Sequence, residues 1–275
     1  MIKDVVAYLS PTPSDAGPAY AISLASAFAA HIAGVAFAFE PVIPASLMGD
    51  ISADLIEAQR EESEKAAKSA MARFEQAARA AGVSAETRLV NASLSGAADL
   101  FAQIARRFDI AVVAQAERDK IAAEELIAET ALFNSGRPLV AVPYIQKKGL
   151  TLDRTVICWD GSRAATRAIG DAMPLLERAA GVEILVVATD KAQRQATPGA
   201  GLKAHLARHG INAEIKRVPG ADIDVPSAIL SYVADNAVDF IVMGGYGHSR
   251  LREFILGGVT RTMLASMTAP TLMSH

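Results

Sequence analysis

The amino-acid sequence predicts an α/β fold made of two repeated, doubly wound domains. Short apolar runs alternate along the whole chain with segments of helical periodicity, a pattern typical of parallel strands joined by crossover helices. A short polar break at residues 146–149 separates two passages of this pattern. Residues 109–113 (DIAVV) also match residues 239–243 (DFIVM), which indicates an internal repeat.

The first half contains five predicted strands separated by helices. The first strand stops before Pro11 and Pro13, since proline cannot continue a strand ladder. Ile22, Leu24 and Phe28 then recur at helical spacing. The predicted strands are residues 4–9, 34–39, 85–90, 110–114 and 138–144, and the predicted helices are residues 17–31, 53–81, 97–108 and 121–134, with an irregular stretch at 41–52.

The second half repeats this alternation, so parallel strands with right-handed crossovers are expected in both halves. Its predicted strands are residues 154–159, 182–188, 213–218, 240–243 and 271–274, and its predicted helices are residues 164–180, 200–209, 226–236 and 259–267. The two halves align at an offset of about 150 residues at the front and about 130 further on. We therefore predict domains at 1–146 and 151–275, with a long helical insertion near 41–81.

Composition limits the classes of function. The formal net charge is −3 and no long basic run occurs, which argues against a nucleic-acid partner. Residues 16–39 lack charged side chains, but Pro18 and Gly34 interrupt them, so a helix followed by a strand fits better than a membrane span. No signal peptide is visible, and we expect a cytoplasmic protein that makes no membrane contact.

Two glycine breaks follow the strand at 240–243. The apolar run ends at Gly244, Gly245 and Gly247, and nine residues after Gly247 come Gly257 and Gly258, directly before a predicted helix. Backbone amides at a helix start, next to residues without Cβ, allow phosphate oxygens to approach closely. In the loop after the strand at 154–159, Asp160 could bind a base amine or a ribose hydroxyl, or could cap the following helix, as Ser162 could.

The pattern Gly244-x-x-Gly247, nine residues, Gly257, together with Trp159-Asp160-Gly161-Ser162, resembles the universal stress protein family in its tandem form. The resemblance implies five-stranded parallel sheets of order 3-2-1-4-5, pairing of the two domains through their last strands, and ATP or a related adenine nucleotide, with or without Mg²⁺. A homodimer is a further expected association.

The resemblance also implies the residues of a nucleotide site in the second half. Trp159 and Asp160 would lie at the adenosine, Val187 and Ala188 at the base, Met243 and Gly244 at the ribose, and Gly247, Gly257, Gly258 and Val259 at the phosphates; His248 and Thr260 are additional candidate contacts. Gly258 departs from the family, which has Ser or Thr there. Loss of that hydroxyl would weaken binding by roughly 10–100-fold.

The first half departs from the family much further. Ala114, Gln115, Ala116 and Glu117 replace residues 244–247, Ile127 and Ala128 replace Gly257 and Gly258, and Ser10 replaces Asp160. Side chains and a carboxylate would then occupy the phosphate path. We predict that the first half binds no nucleotide.

Other chemistry has weaker support. The single Cys158 lies in an apolar strand and is interpreted as a buried, inert thiol. His205 and His209 share a helix face, but no third ligand completes a metal site, so no metal is expected. The amphipathic helix at 53–81 is expected to pack on its own sheet or on a second chain.

The preferred hypothesis is a stress-response protein that binds an adenine nucleotide in its second domain and acts by nucleotide-dependent association. No activated nucleophile, acid–base pair or metal cluster is evident, so we expect no enzymatic activity. Two alternatives remain. One is a binding or dimerisation module of the same fold without a nucleotide, and the other is a slow nucleotide hydrolase using His248 or Asp160.

Overall fold

The structure is a computed structural model that describes residues 1–12, 16–40, 52–116, 123–188, 199–220, 224–245 and 258–275. These residues contain eight α-helices and ten β-strands, in an α/β arrangement as predicted. The chain divides into two compact units, Ile2–Arg137 and Pro138–His275. Within the described residues, no helix is both long and apolar enough to span a bilayer.

The N-terminal unit has a parallel sheet in the order β3-β2-β1-β4. Helix α1 packs on β1, α2 covers β2, and α3 packs against α4. The elements are β1 (Asp4–Leu9), α1 (Ala16–Phe28), β2 (His31–Phe39), α2 (Ala53–Ala80), β3 (Ala85–Ala92), α3 (Leu94–Ala105), β4 (Ile110–Ala114) and α4 (Ala123–Asn134).

The C-terminal unit has the strand order β5-β10-β9-β6-β7-β8. Neighbouring strands in this unit are parallel, except that β5 runs antiparallel to β10. The elements are β5 (Leu139–Val142), β6 (Thr155–Cys158), α5 (Arg163–Leu176), β7 (Val182–Ala188), α6 (Ala200–Arg208), β8 (Ala213–Pro219), α7 (Val225–Asp235), β9 (Phe240–Gly244), α8 (Val259–Ser266) and β10 (Thr271–Ser274). In the C-terminal unit, the strands β8, β7, β6, β9 and β10 follow the predicted order 3-2-1-4-5. In the N-terminal unit, the strands β3, β2, β1 and β4 follow the first four positions of the same order.

Strand register gives the correspondence between the two halves. Val5 pairs with Ile110 in the N-terminal unit, and Thr155 pairs with Phe240 in the C-terminal unit. The offsets are therefore 150 residues in the first strand and 130 in the fourth, as the sequence repeat predicted. It follows that Ser10 is the counterpart of Asp160, and Ala114 the counterpart of Gly244.

One carboxylate in each half joins the first strand to the fourth. Asp109 precedes β4, and its Oδ2 accepts the backbone N–H of Lys3 at 2.7 Å and that of Asp4 at 3.1 Å. Asp239 precedes β9 and accepts the backbone N–H groups of the two residues before β6. The shared Asp of the sequence repeat thus serves the same structural purpose twice.

Helix boundaries differ from the predictions where tertiary hydrogen bonds compete with the helix. Helix α1 ends at Phe28 because Ala29 adopts a positive φ of 48°, and the His31 N–H already donates to the Lys3 carbonyl in the sheet. Helix α5 ends at Leu176, not at residue 180. The reason is that the Ala180 N–H donates to the carbonyl of Leu152 at 2.9 Å.

Helix α3 begins three residues earlier than its apolar pattern suggested. Ser93 is the N-cap, and its Oγ accepts the backbone N–H of Gly96 at 3.3 Å. The predicted insertion is also visible in helix lengths, because α2 has 28 residues and its counterpart α6 has 9. Most of the irregular stretch predicted before α2 lies outside the described residues.

Candidate functional site

The candidate site lies at the carboxyl ends of three neighbouring parallel strands. Cys158, the last residue of β6, pairs with Met243 of β9 and with Leu185 of β7. The Trp159 N–H continues the ladder by donating to the Leu185 carbonyl at 2.9 Å. Asp160, Val187 and Gly244 follow these paired residues closely, so the structure brings them to one edge of the sheet.

Asp160 forms the turn that leads into α5. Its Oδ1 accepts the Ser162 backbone N–H at 2.8 Å, and Gly161 between them has a φ of +73°. The helix cap itself is Ser162, whose Oγ accepts the Ala165 N–H at 3.1 Å. The sequence had left capping open between Asp160 and Ser162, and here Ser162 caps while the Asp160 residue remains solvent-exposed.

Asp160 also affects the pKa of the Cys158 thiol, two residues earlier in the chain. Burial raises the pKa of Cys158 to about 12, and the negative charge of Asp160 adds to this effect. A thiol with this pKa is protonated at neutral pH and is a poor nucleophile. The Cys158 residue is half-buried, not fully buried as the sequence suggested, and its raised pKa is compatible with an inert thiol.

Gly244 is required by packing against α5. A Cβ at this position would lie 2.4 Å from the Ala165 nitrogen and 2.6 Å from the Ala164 carbonyl carbon. The N-terminal unit makes the same approach with the glycine on the helix, since a Cβ on Gly17 would lie 3.0 Å from the Ala114 Cβ. Packing against α5 therefore explains why position 244 is a glycine, independently of any ligand.

The proposed base and ribose contacts differ in accessibility. Val187 and Ala188 end β7 and are half-buried. Next to them, Gly220 leaves room for the Val187 side chain, because a Cβ there would lie 2.9 Å from Val187 Cγ1. Met243 is only 4% exposed, so its side chain belongs to the core beneath the site.

The proposed phosphate contacts are described in part. Gly258 is the N-cap of α8, with φ −59° and ψ 153° and no side-chain cap. Val259 is half-buried, while Thr260 is buried, with an exposure of 2%. Gly247, His248 and Gly257 lie outside the described residues.

The C-terminal residues also reach the glycine stretch, a feature that the sequence analysis missed. The Gly245 N–H donates to the Ser274 carbonyl at 2.8 Å, and His275 Nδ1 lies 3.1 Å from the Gly245 carbonyl oxygen. No local sequence signal indicates these contacts, because they arise from the parallel pairing of β9 with β10.

In the N-terminal unit a different carboxylate occupies the corresponding edge. Ser10 Oγ donates to Glu124 Oε1 at 2.5 Å, and the Glu124 residue is 7% exposed. Burial, followed by the charge of Glu124, raises the pKa of Tyr8. From sequence, the carboxylate expected in the phosphate path of this unit was Glu117, which lies outside the described residues, and Glu124 was missed. Acidic residues at a helix start are too common to have identified it.

Metal ligation has no basis in the described part of the chain. No group of three or more His, Cys, Asp or Glu side chains is close enough there to hold an ion. The rings of His205 and His209 do meet, with centroids 4.8 Å apart, on the exposed last turn of α6 and the residue after it.

Comparison with known proteins agrees with the resemblance seen in the sequence. Residues 151–275 match the model of the universal stress protein family. A universal stress protein of Synechocystis is 26% identical over 145 residues, which are 50% of this chain and 46% of the relative. The match thus spans about half the length of that relative.

Solved structures share the fold over the whole chain. A universal stress protein from Archaeoglobus fulgidus has a TM-score of 0.69 at 17% identity, covering 98% of this chain and 97% of its own. A protein of unknown function from Pseudomonas aeruginosa has a TM-score of 0.62 at 12% identity, covering 99% and 92%. At these identities the likeness concerns the fold, while the match to the universal stress protein family model covers residues 151–275.

Proposed function

We propose that the C-terminal unit binds an adenine nucleotide such as ATP, with or without Mg²⁺, and that the bound nucleotide controls association of the protein without being turned over. One observation carries this proposal. An exposed carboxylate, a half-buried apolar wall and the start of a helix follow neighbouring parallel strands in a universal stress protein domain. This is the edge at which open α/β sheets bind nucleotides.

The contacts proposed for the nucleotide follow from the chemistry of each group. The Asp160 carboxylate would accept from a ribose hydroxyl or the adenine amine, and Val187 and Ala188 would contact the base. The backbone at Gly258 and Val259, at the start of α8, would hold phosphate oxygens, together with Gly247 and Gly257. Gly244 is proposed to permit close approach of the ribose in addition to its packing on α5.

Isothermal titration of the full chain with ATP tests the proposal. We expect Asp160→Ala to lower the affinity roughly tenfold, since a hydrogen bond to a charged group is worth about 1.5–3 kcal/mol. Asp235→Ala is the matched control, because Asp235 is an exposed carboxylate at the end of α7. No detectable binding by the unmodified protein at millimolar ATP would refute the proposal.

Pairing of the two halves and formation of a homodimer also remain proposals. Pairing of the two halves is compatible with the last strands β5 and β10, whose residues are all buried. The nucleotide dependence of association can be measured by sedimentation velocity with and without ATP.

A further inference from the structure

The N-terminal unit has a buried carboxylate, Glu124, at the strand end where the C-terminal unit presents the exposed Asp160. Glu124 reaches from the first turn of α4 to Ser10, the residue that corresponds to Asp160. We propose that Glu124 determines which unit takes the nucleotide, because its carboxylate places a negative charge beside Ser10, at the N-terminal counterpart of the proposed site. This inference rests on the proposed function of the C-terminal unit.

The Glu124 carboxylate is held in place by a hydrogen-bonded cluster. Ser10 is itself 5% exposed, and its Oγ donates to Glu124. The same Oγ lies 2.7 Å from Thr12 Oγ1 and accepts the Thr12 backbone N–H at 3.2 Å. A buried carboxylate is costly unless it is hydrogen-bonded, so these contacts favour one fixed position for the Glu124 side chain.

The electrostatic effect of this carboxylate opposes a phosphate. Glu124 contributes to raising the pKa of Tyr8, just as Asp160 contributes to raising the pKa of its counterpart Cys158. The negative charge therefore acts at the same strand end in both units. In the N-terminal unit, however, the charge is buried and comes from the helix that follows β4. A phosphate brought within about 5 Å of it would bind on the order of 100-fold more weakly at an effective dielectric of about 20.

Glu125 provides a matched control. It shares the first turn of α4 with Glu124 and is exposed to solvent. Both acidic residues interact favourably with the helix dipole. If Glu124 merely stabilised α4, the two residues would behave alike towards a nucleotide.

The experiment is calorimetric titration of ATP into the full-length protein and its Glu124→Ala, Glu124→Gln and Glu125→Ala variants. We expect Glu124→Ala to gain one further ATP equivalent, at least tenfold tighter than any second binding by the unmodified protein. Glu124→Gln keeps the volume and a Ser10 contact but removes the charge, so we expect at least a threefold gain. Glu125→Ala is expected to match the unmodified protein.

The outcomes separate this inference from the proposed function. Stoichiometry that stays the same in both Glu124 variants would overturn the role of Glu124, whatever the C-terminal unit does. If Glu124→Ala fails to fold, Glu124→Gln decides by the same criterion. A chain that binds no ATP until Glu124 is replaced would refute the proposed function and still support the role of Glu124 in the N-terminal unit.

Discussion

Gly244 belongs to the glycine pattern of the proposed site and is also required by the packing of β9 against α5. Any side chain there would meet the first turn of α5 at 2.4 Å, which is far inside van der Waals contact. The N-terminal unit makes the same approach with Gly17 on the helix and Ala114 on the strand. Alanine at position 114 therefore does not by itself show that the N-terminal unit cannot bind a nucleotide. The glycine needed for the close approach of strand and helix is Gly17 on the helix.

We predict that Gly244→Ala destabilises the protein by about 2–3 kcal/mol, as overpacking does in a tightly packed interior. Gly170→Ala is the control, since Gly170 lies in α5 and a Cβ added there would meet no neighbouring element within 4 Å. That change should stabilise the helix by about 0.5–1 kcal/mol. Urea denaturation measures both, and equal midpoints would contradict the packing argument.

Gly258 is the residue at which the proposed nucleotide site departs from the family pattern, which has Ser or Thr there. Its φ of −59° is open to any L-residue, so no backbone constraint requires glycine. We predict that Gly258→Ser raises ATP affinity roughly tenfold by supplying a hydroxyl to the phosphates. Gly258→Ala, which adds a Cβ without the hydroxyl, should show no such gain in the same titration. Equal affinities for the two variants would argue against phosphate binding at the start of α8.

Cys158 gives a pH-dependent test of burial at the site. With a pKa of about 12, its thiolate fraction at pH 8 is roughly 10⁻⁴, compared with about a quarter for a free thiol. We expect alkylation of the folded protein to be slower by about three orders of magnitude than in urea. The rate should rise tenfold per pH unit up to pH 11. Alkylation at the rate of the unfolded chain would contradict the raised pKa of this thiol.

At the scale of elements, a polar cluster joins α7 to the start of the C-terminal sheet. Glu183 on β7 is 8% exposed and accepts from Arg154 at 2.9 Å and from the Tyr232 hydroxyl at 2.8 Å. Arg154 also donates to the Asn236 carbonyl, which lies just after α7. Burial, and then the hydrogen bond to Glu183, raises the pKa of Tyr232 to about 12.

This shift predicts an alkaline dependence of stability. Because the folded pKa of Tyr232 exceeds the unfolded value near 10, its contribution is fully present below about pH 10 and is lost as pH rises through 12. We expect Tyr232→Phe to cost about 1 kcal/mol at pH 8, with allowance for the half-exposed position. The difference from the unmodified protein should shrink between pH 10 and 12. A difference independent of pH would contradict this account.

Capping residues explain which element boundaries were predicted well. Ser162 and Asp224 accept N–H groups in the first turns of α5 and α7, and both helices begin within one residue of the prediction. The ends of α1 and α5 were placed too late. Their last turns are replaced by hydrogen bonds to residues distant in sequence, which no local pattern contains.

For the whole molecule, we predict that ATP acts on one unit. ATP present at about 100 times its Kd should stabilise the bound unit by about 2.7 kcal/mol, which hydrogen exchange can measure. Protection is expected in segments containing Asp160, Val187 and Gly258. The corresponding segments, which contain Ser10, Phe37 and Ala128, should exchange unchanged. Equal protection of both units would contradict the asymmetry between them.

The sequence alone determined the α/β class, the duplication and the correspondence of the two halves. Alternating periodicity and repeated motifs such as the Asp109 and Asp239 segments are local signals, and strand register agrees with the offsets that they imply. The sequence also located the glycine stretch and Asp160 on one predicted edge. The nucleotide assignment itself remains a prediction that came from the family resemblance.

Only the tertiary structure decided why particular residues are present. It showed that Gly244 is fixed by α5, that Ser162 is the cap, and that Thr260 and Met243 are buried. It also brought Glu124 against Ser10 across 114 residues of sequence. Such contacts depend on how helices pack on the sheet, and packing is a long-range property that neither periodicity nor motif spacing records.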